Sequence, residues 1–166
     1  IMNEKQYMIY EHDHKYVSTR DPSKFYNFEA PPEKVVNRRF YERANCVVVL
    51  SEICKEVLLK NIKKANVHSI GCSLWSDSTY EFLKQHSTTN KTKELCIMKN
   101  MNPTKNYFNT VKYCNQNNMM YGEIQSEDYF DFLTQMAEYK RFLFIPTVLE
   151  TYSRICAEAK MMNVDV

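Results

Sequence analysis

Short apolar runs alternate with stretches of helical periodicity along most of the chain. Tyr7 to Tyr10 predicts a short strand ending in the polar cluster Glu11-His12-Asp13-His14-Lys15. Ser18 to Ala30 has little apolar periodicity and reads as a loop. Pro31-Pro32 preset a helix start, with Val36, Phe40 and Ala44 following at four-residue spacing. Cys46 to Leu50 is apolar throughout and predicts a buried strand. Ser51 is placed to cap the next helix, whose inner face carries Ile53, Cys54, Val57, Leu58 and Ile62. Val67 to Ile70 predicts a third strand, closed by Gly71.

Ser76 to Lys93 is rich in Ser, Thr, Asn and Lys and reads as a linker or hinge, with a short helical stretch around Tyr80 to Leu83. The alternation then resumes. Strands are expected at Leu95–Met98, Met119–Gly122 and Arg141–Ile145, and helices at Thr104–Asn115, Glu127–Glu138 and about Ser153–Met162. Ser126 is the expected start of the middle helix. Strand–helix alternation of this kind predicts an α/β chain with doubly wound parallel sheets. The predicted divisions are 1–75, a hinge at 76–93, and 94–166. Asn163 to Val166 reads like the beginning of a further strand.

The stretch from Phe144 to Lys160 carries the most chemistry. An apolar run stops at Pro146, a polar loop carries Glu150, and the helix that follows carries Arg154 and Glu158. A strand, a loop at its carboxyl end and a helix form the usual ligand-binding edge of an open parallel sheet. The helix start offers backbone N–H groups to an anion, and Arg154 adds a cation. Carboxylates do not bind phosphate directly, so Glu150 and Glu158 point to hydroxyl groups. Phosphate together with hydroxyls describes a nucleotide sugar. With only two glycines in the chain, a glycine-rich phosphate loop is excluded.

The two glutamates, with seven residues between them behind a proline, resemble the donor-site signature of retaining glycosyltransferases of the GT-B fold, family 4-like. That signature reads approximately Pro-Ser-x-x-Glu-Gly-Phe-Gly-x-x-x-x-Glu-Ala. Here its frame falls on Pro146, Thr147, Glu150, Tyr152, Ser153, Glu158 and Ala159, with Thr151 and Ser153 in place of the glycines. Ala44–Ser51 is similar to the family's last acceptor-domain strand, Val67–Trp75 to the strand leading to the interdomain crossing, and Met98–Lys105 to the segment carrying the donor-site cations.

The resemblance implies a GT-B arrangement of Rossmann-like domains. Residues 1–75 would be the carboxyl part of the acceptor-side domain and 94–166 part of the donor domain. Each full domain needs about 100–200 residues, so the chain is expected to be part of a longer enzyme. Glu158 would hold the ribose hydroxyls. Glu150 would take sugar hydroxyls and stabilise oxocarbenium-like charge. Lys99, Lys105, Ser153 and Arg154 would hold the diphosphate as it leaves. His12 is the catalytic candidate of the acceptor side, with Asp13 and His14 beside it, and either histidine can be the one that faces the site. A His-x-His pair also suits a metal, but no third ligand is visible and no Asp-x-Asp motif occurs, so no metal and no cofactor are expected. The partners implied are a nucleotide sugar and an unknown glycan or other acceptor. A catalytically inactive nucleotide-binding or interaction module is the alternative.

Composition narrows the setting. A formal charge of +2 without a basic stripe argues against nucleic acid, and 44% hydrophobic with 25% charged residues is ordinary for a globular protein. No run approaches the ~20 apolar residues of a membrane span. Exposed sheet edges would favour self-association. Trp75 is expected at the domain junction, and Tyr107, Phe108, Tyr129 and Phe130 in the core. Six cysteines, mostly in apolar runs and without a C-x-x-C pair, fit reduced thiols and a cytoplasmic protein. Alkylation without reductant, followed by mass measurement, should modify all six; a protected pair would contradict the reduced state.

Overall fold

The computed structural model describes residues 6–166. Only the first five positions of the half assigned to 1–75 lie outside it. The chain is α/β and divides into two compact units. One contains residues up to Ser73 together with Val148–Tyr152, and the other contains Leu74–Thr147 and Ser153–Val166. None of the helices among the described residues is long and apolar enough to cross a membrane.

The first unit is built on three parallel strands in the order β1 (Met8–Glu11), β2 (Cys46–Val49), β3 (Val67–Ser69). Val47 pairs with Ile9 on one side and Val67 on the other. The helix Arg38–Glu42 (α1) precedes β2, and Glu52–Asn61 (α2) connects β2 to β3. Ser51 caps α2 by accepting a hydrogen bond from the Cys54 amide. Tyr16, Val17, Val47, Val49, Cys54, Leu58 and Ile62 fill its core. Gly71 takes a left-handed φ of 65° just beyond β3, a conformation that suits glycine.

The single helix expected behind Pro31-Pro32 is not formed. Pro32–Lys34 makes a 3₁₀ turn, Asn37 is left-handed at φ 56°, and α1 begins only after it. The backbone between them is used elsewhere. Ser18 donates to the Lys34 carbonyl, Val36 to the Tyr16 carbonyl, and Val17 bridges Val35 in antiparallel fashion. Extended pairing overrides a four-residue apolar spacing when the same amides serve as ladder donors.

The second unit has a parallel sheet in the order β5–β4–β6, with β4 spanning Lys93–Met98, β5 Gly122–Ile124 and β6 Tyr139–Leu143. Its helices are α3 (Asp77–His86), α4 (Tyr107–Gln116), α5 (Tyr129–Ala137) and α6 (Arg154–Met161). The chain steps from β4 outward to β5, crosses back over β4 to β6, and continues away from β4. Beyond α6, Asp165 forms a parallel bridge with Arg141 of β6. Right-handed crossovers then place α5 and α6 on one face, where they pack together. Gly122 has no room for a side chain, because a Cβ there would run into the Tyr139 hydroxyl.

Several boundaries shift from expectation. The polar segment read as a hinge folds into α3, capped by Ser76 and anchored by the buried Leu83. Met119 donates its amide to Cys114 and so belongs to the end of α4, which pushes β5 three residues later. Asp128, accepting from the Asp131 amide at 2.7 Å, starts α5 in place of Ser126. β6 begins at Tyr139 because Lys93 and Tyr139 pair in the ladder. Phe108 is 70% exposed on α4, and Tyr129 and Phe130 are only partly covered, at the border of the core rather than inside it. Leu83→Ala should cost about 2–5 kcal/mol in urea denaturation, the range for emptying a buried leucine site. A near-zero change would mean that α3 does not pack against this core.

Candidate functional site

Ligands of open parallel sheets bind outside the carboxyl ends of the strands. In the first unit that edge is β1's end. Glu11, the last residue of β1, is buried, and its Oε1 accepts the amides of Asp13 (2.9 Å) and Lys15 (3.1 Å). Its Oε2 accepts the Tyr41 hydroxyl. Burial, the bond to Glu11 and its negative charge all raise the Tyr41 pKa, so Tyr41 stays a donor. These bonds fold the chain sharply after β1. His12 and Asp13 are left exposed, while His14 turns inward with φ 53° and only 2% exposure.

His14 Nδ1 lies 2.9 Å from the Tyr16 hydroxyl, and its Nε2 is buried with no hydrogen-bond partner. Burial lowers its pKa from the ordinary 6.5. Glu11, the Leu149 backbone, Asp21 and Asp13 pull the other way without overcoming it. The segment carrying Glu150 docks at the same edge. Thr151 donates its hydroxyl to the His12 carbonyl at 2.6 Å. The Thr151 carbonyl accepts from Ser51 Oγ at 2.9 Å and Cys54 Sγ at 3.2 Å, at the start of α2. His12, His14 and the Glu150 segment are therefore neighbours within one unit. Asp13 faces solvent and pairs with Lys15 at 3.8 Å, a surface contact that contributes little.

In the second unit the loops after β4 and β6 meet. Asn106 Nδ2 donates to the Ile145 carbonyl at 2.9 Å, and the Thr147 amide to the Thr104 carbonyl at 3.1 Å. β4 and β6 are adjacent strands whose onward connections run in opposite directions, so their carboxyl ends form a topological switch point. Lys99 stands at the end of β4, 2.9 Å from Glu123 Oε2. Glu123 also accepts the Tyr107 hydroxyl, and this bond first, then Lys99, lowers its pKa. Lys105 sits in the 3₁₀ turn Pro103–Lys105, its ammonium 5.4 Å from the centre of the Phe144 ring.

Ser153 is the N-cap of α6, but its hydroxyl turns to Cys156 Sγ at 3.1 Å and caps no amide. Arg154 is half exposed and lies 5.4 Å over the Trp75 ring. Glu158 is not the solvent-facing partner that its spacing from Arg154 suggests. It is 2% exposed, and Oε1 accepts the Trp75 indole N–H (2.9 Å) and the Tyr129 hydroxyl (2.7 Å), with Arg154 Nε at 3.6 Å. Desolvation and the bond to Glu158 both raise the Tyr129 pKa, which keeps that hydroxyl protonated as a donor.

The site candidates thus separate. Lys99, Lys105, Ser153, Arg154 and Glu158 belong to the second unit, whereas His12, Asp13, His14 and Glu150 belong to the first. Sequence reading missed Glu11 and the partners Tyr16, Tyr41, Trp75, Tyr129 and Glu123. Glu11 was visible as the strand-end carboxylate, but its burial was not. Trp75 and Tyr129 lie far from Glu158 in sequence, and no local spacing announces them. Among the described residues, no group of histidine, cysteine and carboxylate side chains is arranged to hold a metal ion. Protein-family models, curated proteins and solved structures gave no match to the chain.

His14 should leave a mark on stability. Its folded pKa lies below 6.5, so the unfolded chain takes up the proton first as pH falls. The contribution is intact above that value and is lost progressively below it. The urea midpoint should fall from about pH 7.5 to about pH 5.5, and His14→Asn, which tolerates a left-handed backbone, should flatten that dependence. An equal slope in the variant would remove His14 as the cause.

Proposed function

We propose that the chain binds a nucleotide sugar and forms part of a retaining glycosyltransferase of the GT-B type. The observation that carries this reading is the switch point between β4 and β6. Lys99 follows β4, Lys105 lies in the turn after it, and Arg154 opens α6 behind β6, with the α6 cap side chain turned away from its amides. An anionic diphosphate matches such an edge in charge and in hydrogen-bonding character.

In this proposal Lys105, Arg154 and the first-turn amides of α6 stabilise the departing diphosphate as negative charge accumulates. Lys99 contributes less, because Glu123 already neutralises much of its charge. The resemblance assigns Glu158 to the ribose; buried and held by Trp75 and Tyr129, it acts in this proposal by positioning Arg154 and the start of α6. A cytoplasmic location suits the six cysteines, none of which is in a disulfide.

Titration calorimetry with nucleoside diphosphates and nucleotide sugars tests the proposal. Arg154→Ala should weaken diphosphate binding by about 1.5–3 kcal/mol, the range for hydrogen bonds to charged groups. The far-ultraviolet circular dichroism should be unchanged, since Arg154 is half exposed. No binding by the unaltered chain, or equal affinity in the variant, would sink the assignment.

A further inference from the structure

A cavity of about 350 Å³ opens in the first unit around the carboxyl end of α2, away from the edge that holds His12 and Thr151. Four cations, Arg38, Lys60, Lys63 and Lys64, line it against two carboxylates, Glu29 and Glu42. Lys60 is engaged, donating to Asn27 Oδ1 at 2.9 Å and to the Asn27 carbonyl at 3.2 Å. Among the described residues, the side chains of Arg38, Lys63 and Lys64 form no ion pair or hydrogen bond.

The end of a helix attracts cations, but its dipole amounts to only about half an elementary charge. Three uncommitted cations exceed that demand. They also come from different elements, with Arg38 opening α1 and Lys63 and Lys64 following α2. The wall is fixed. Asn61 is buried, with Oδ1 accepting from Ala30 N at 2.8 Å and Nδ2 donating to the Val57 and Phe28 carbonyls at 2.8 and 2.9 Å. Those bonds tie the 28–30 backbone to α2 at the cavity wall.

We propose that this cavity binds a phosphorylated sugar. Its volume is at the lower end of the roughly 300–1,000 Å³ of ligand pockets and exceeds what a bare phosphate fills. Arg38, Lys63 and Lys64 take the phosphate, which guanidinium and ammonium groups both recognise. Glu29 and Glu42 accept hydrogen bonds from the sugar hydroxyls. The site is independent of the diphosphate site proposed on the second unit.

Calorimetry of the full chain with ribose 5-phosphate, ribose and inorganic phosphate tests it. Ribose 5-phosphate should bind, phosphate more weakly, and ribose not measurably. Arg38→Ala and Lys63→Ala should each weaken binding about tenfold or more, as the loss of a charge-assisted hydrogen bond predicts. Bound ribose 5-phosphate should also protect Lys63 and Lys64 from acetylation, read by peptide mass spectrometry. Absence of binding, equal affinity in both variants, or unprotected lysines would overturn the proposal. So would binding that survives Arg38→Ala but disappears in Arg154→Ala, because the phosphate would then sit on the second unit.

Discussion

A carboxylate taken out of water has to be given donors, and Glu158 shows what that requirement organises. Its Oε1 draws in an indole N–H from the approach to α3 and a hydroxyl from the start of α5, with a guanidinium one turn away on α6 itself. An unpaired buried charge would cost several kcal/mol, so the three elements are held to one arrangement. Fixing α6 in this way also fixes its amino end, and with it Ser153 and Arg154. The candidate anion site is therefore a consequence of a buried carboxyl group and its partners.

The first unit follows the same rule on a smaller scale. Glu11 is buried at the end of β1 and collects two backbone amides and the Tyr41 hydroxyl. Those bonds force the turn that exposes His12 and buries His14. Neither histidine is positioned by its own preference. His14 adopts a left-handed backbone and leaves Nε2 unpaired, which the surrounding bonds impose on it. The His-Asp-His stretch is placed by the glutamate before it.

Position 150 illustrates how topology redistributes a linear motif. Glu150 and Glu158 share one sequence frame, yet residues 148–152 fold with the first unit and α6 with the second. The attachment is Thr151, through the His12 carbonyl and the start of α2. The Thr151 hydroxyl and carbonyl together hold the segment to the first unit.

The sequence by itself determined the α/β alternation and most of the strands, because apolar runs such as Cys46–Leu50 and Leu95–Met98 have one low-energy use in a buried parallel sheet. Local capping was legible too where side chain and amide are three residues apart, as at Ser51. Strand order was not legible. Nor were the breakup of the helix after Pro32, the folding of the supposed hinge into α3, or the burial of Glu11, His14 and Glu158. Each depends on partners distant in sequence: Tyr16 for Val36, the second unit's core for Leu83, and Trp75 and Tyr129 for Glu158. Periodicity records what a segment prefers alone, whereas a buried polar group is settled by donors that only the folded chain brings within reach.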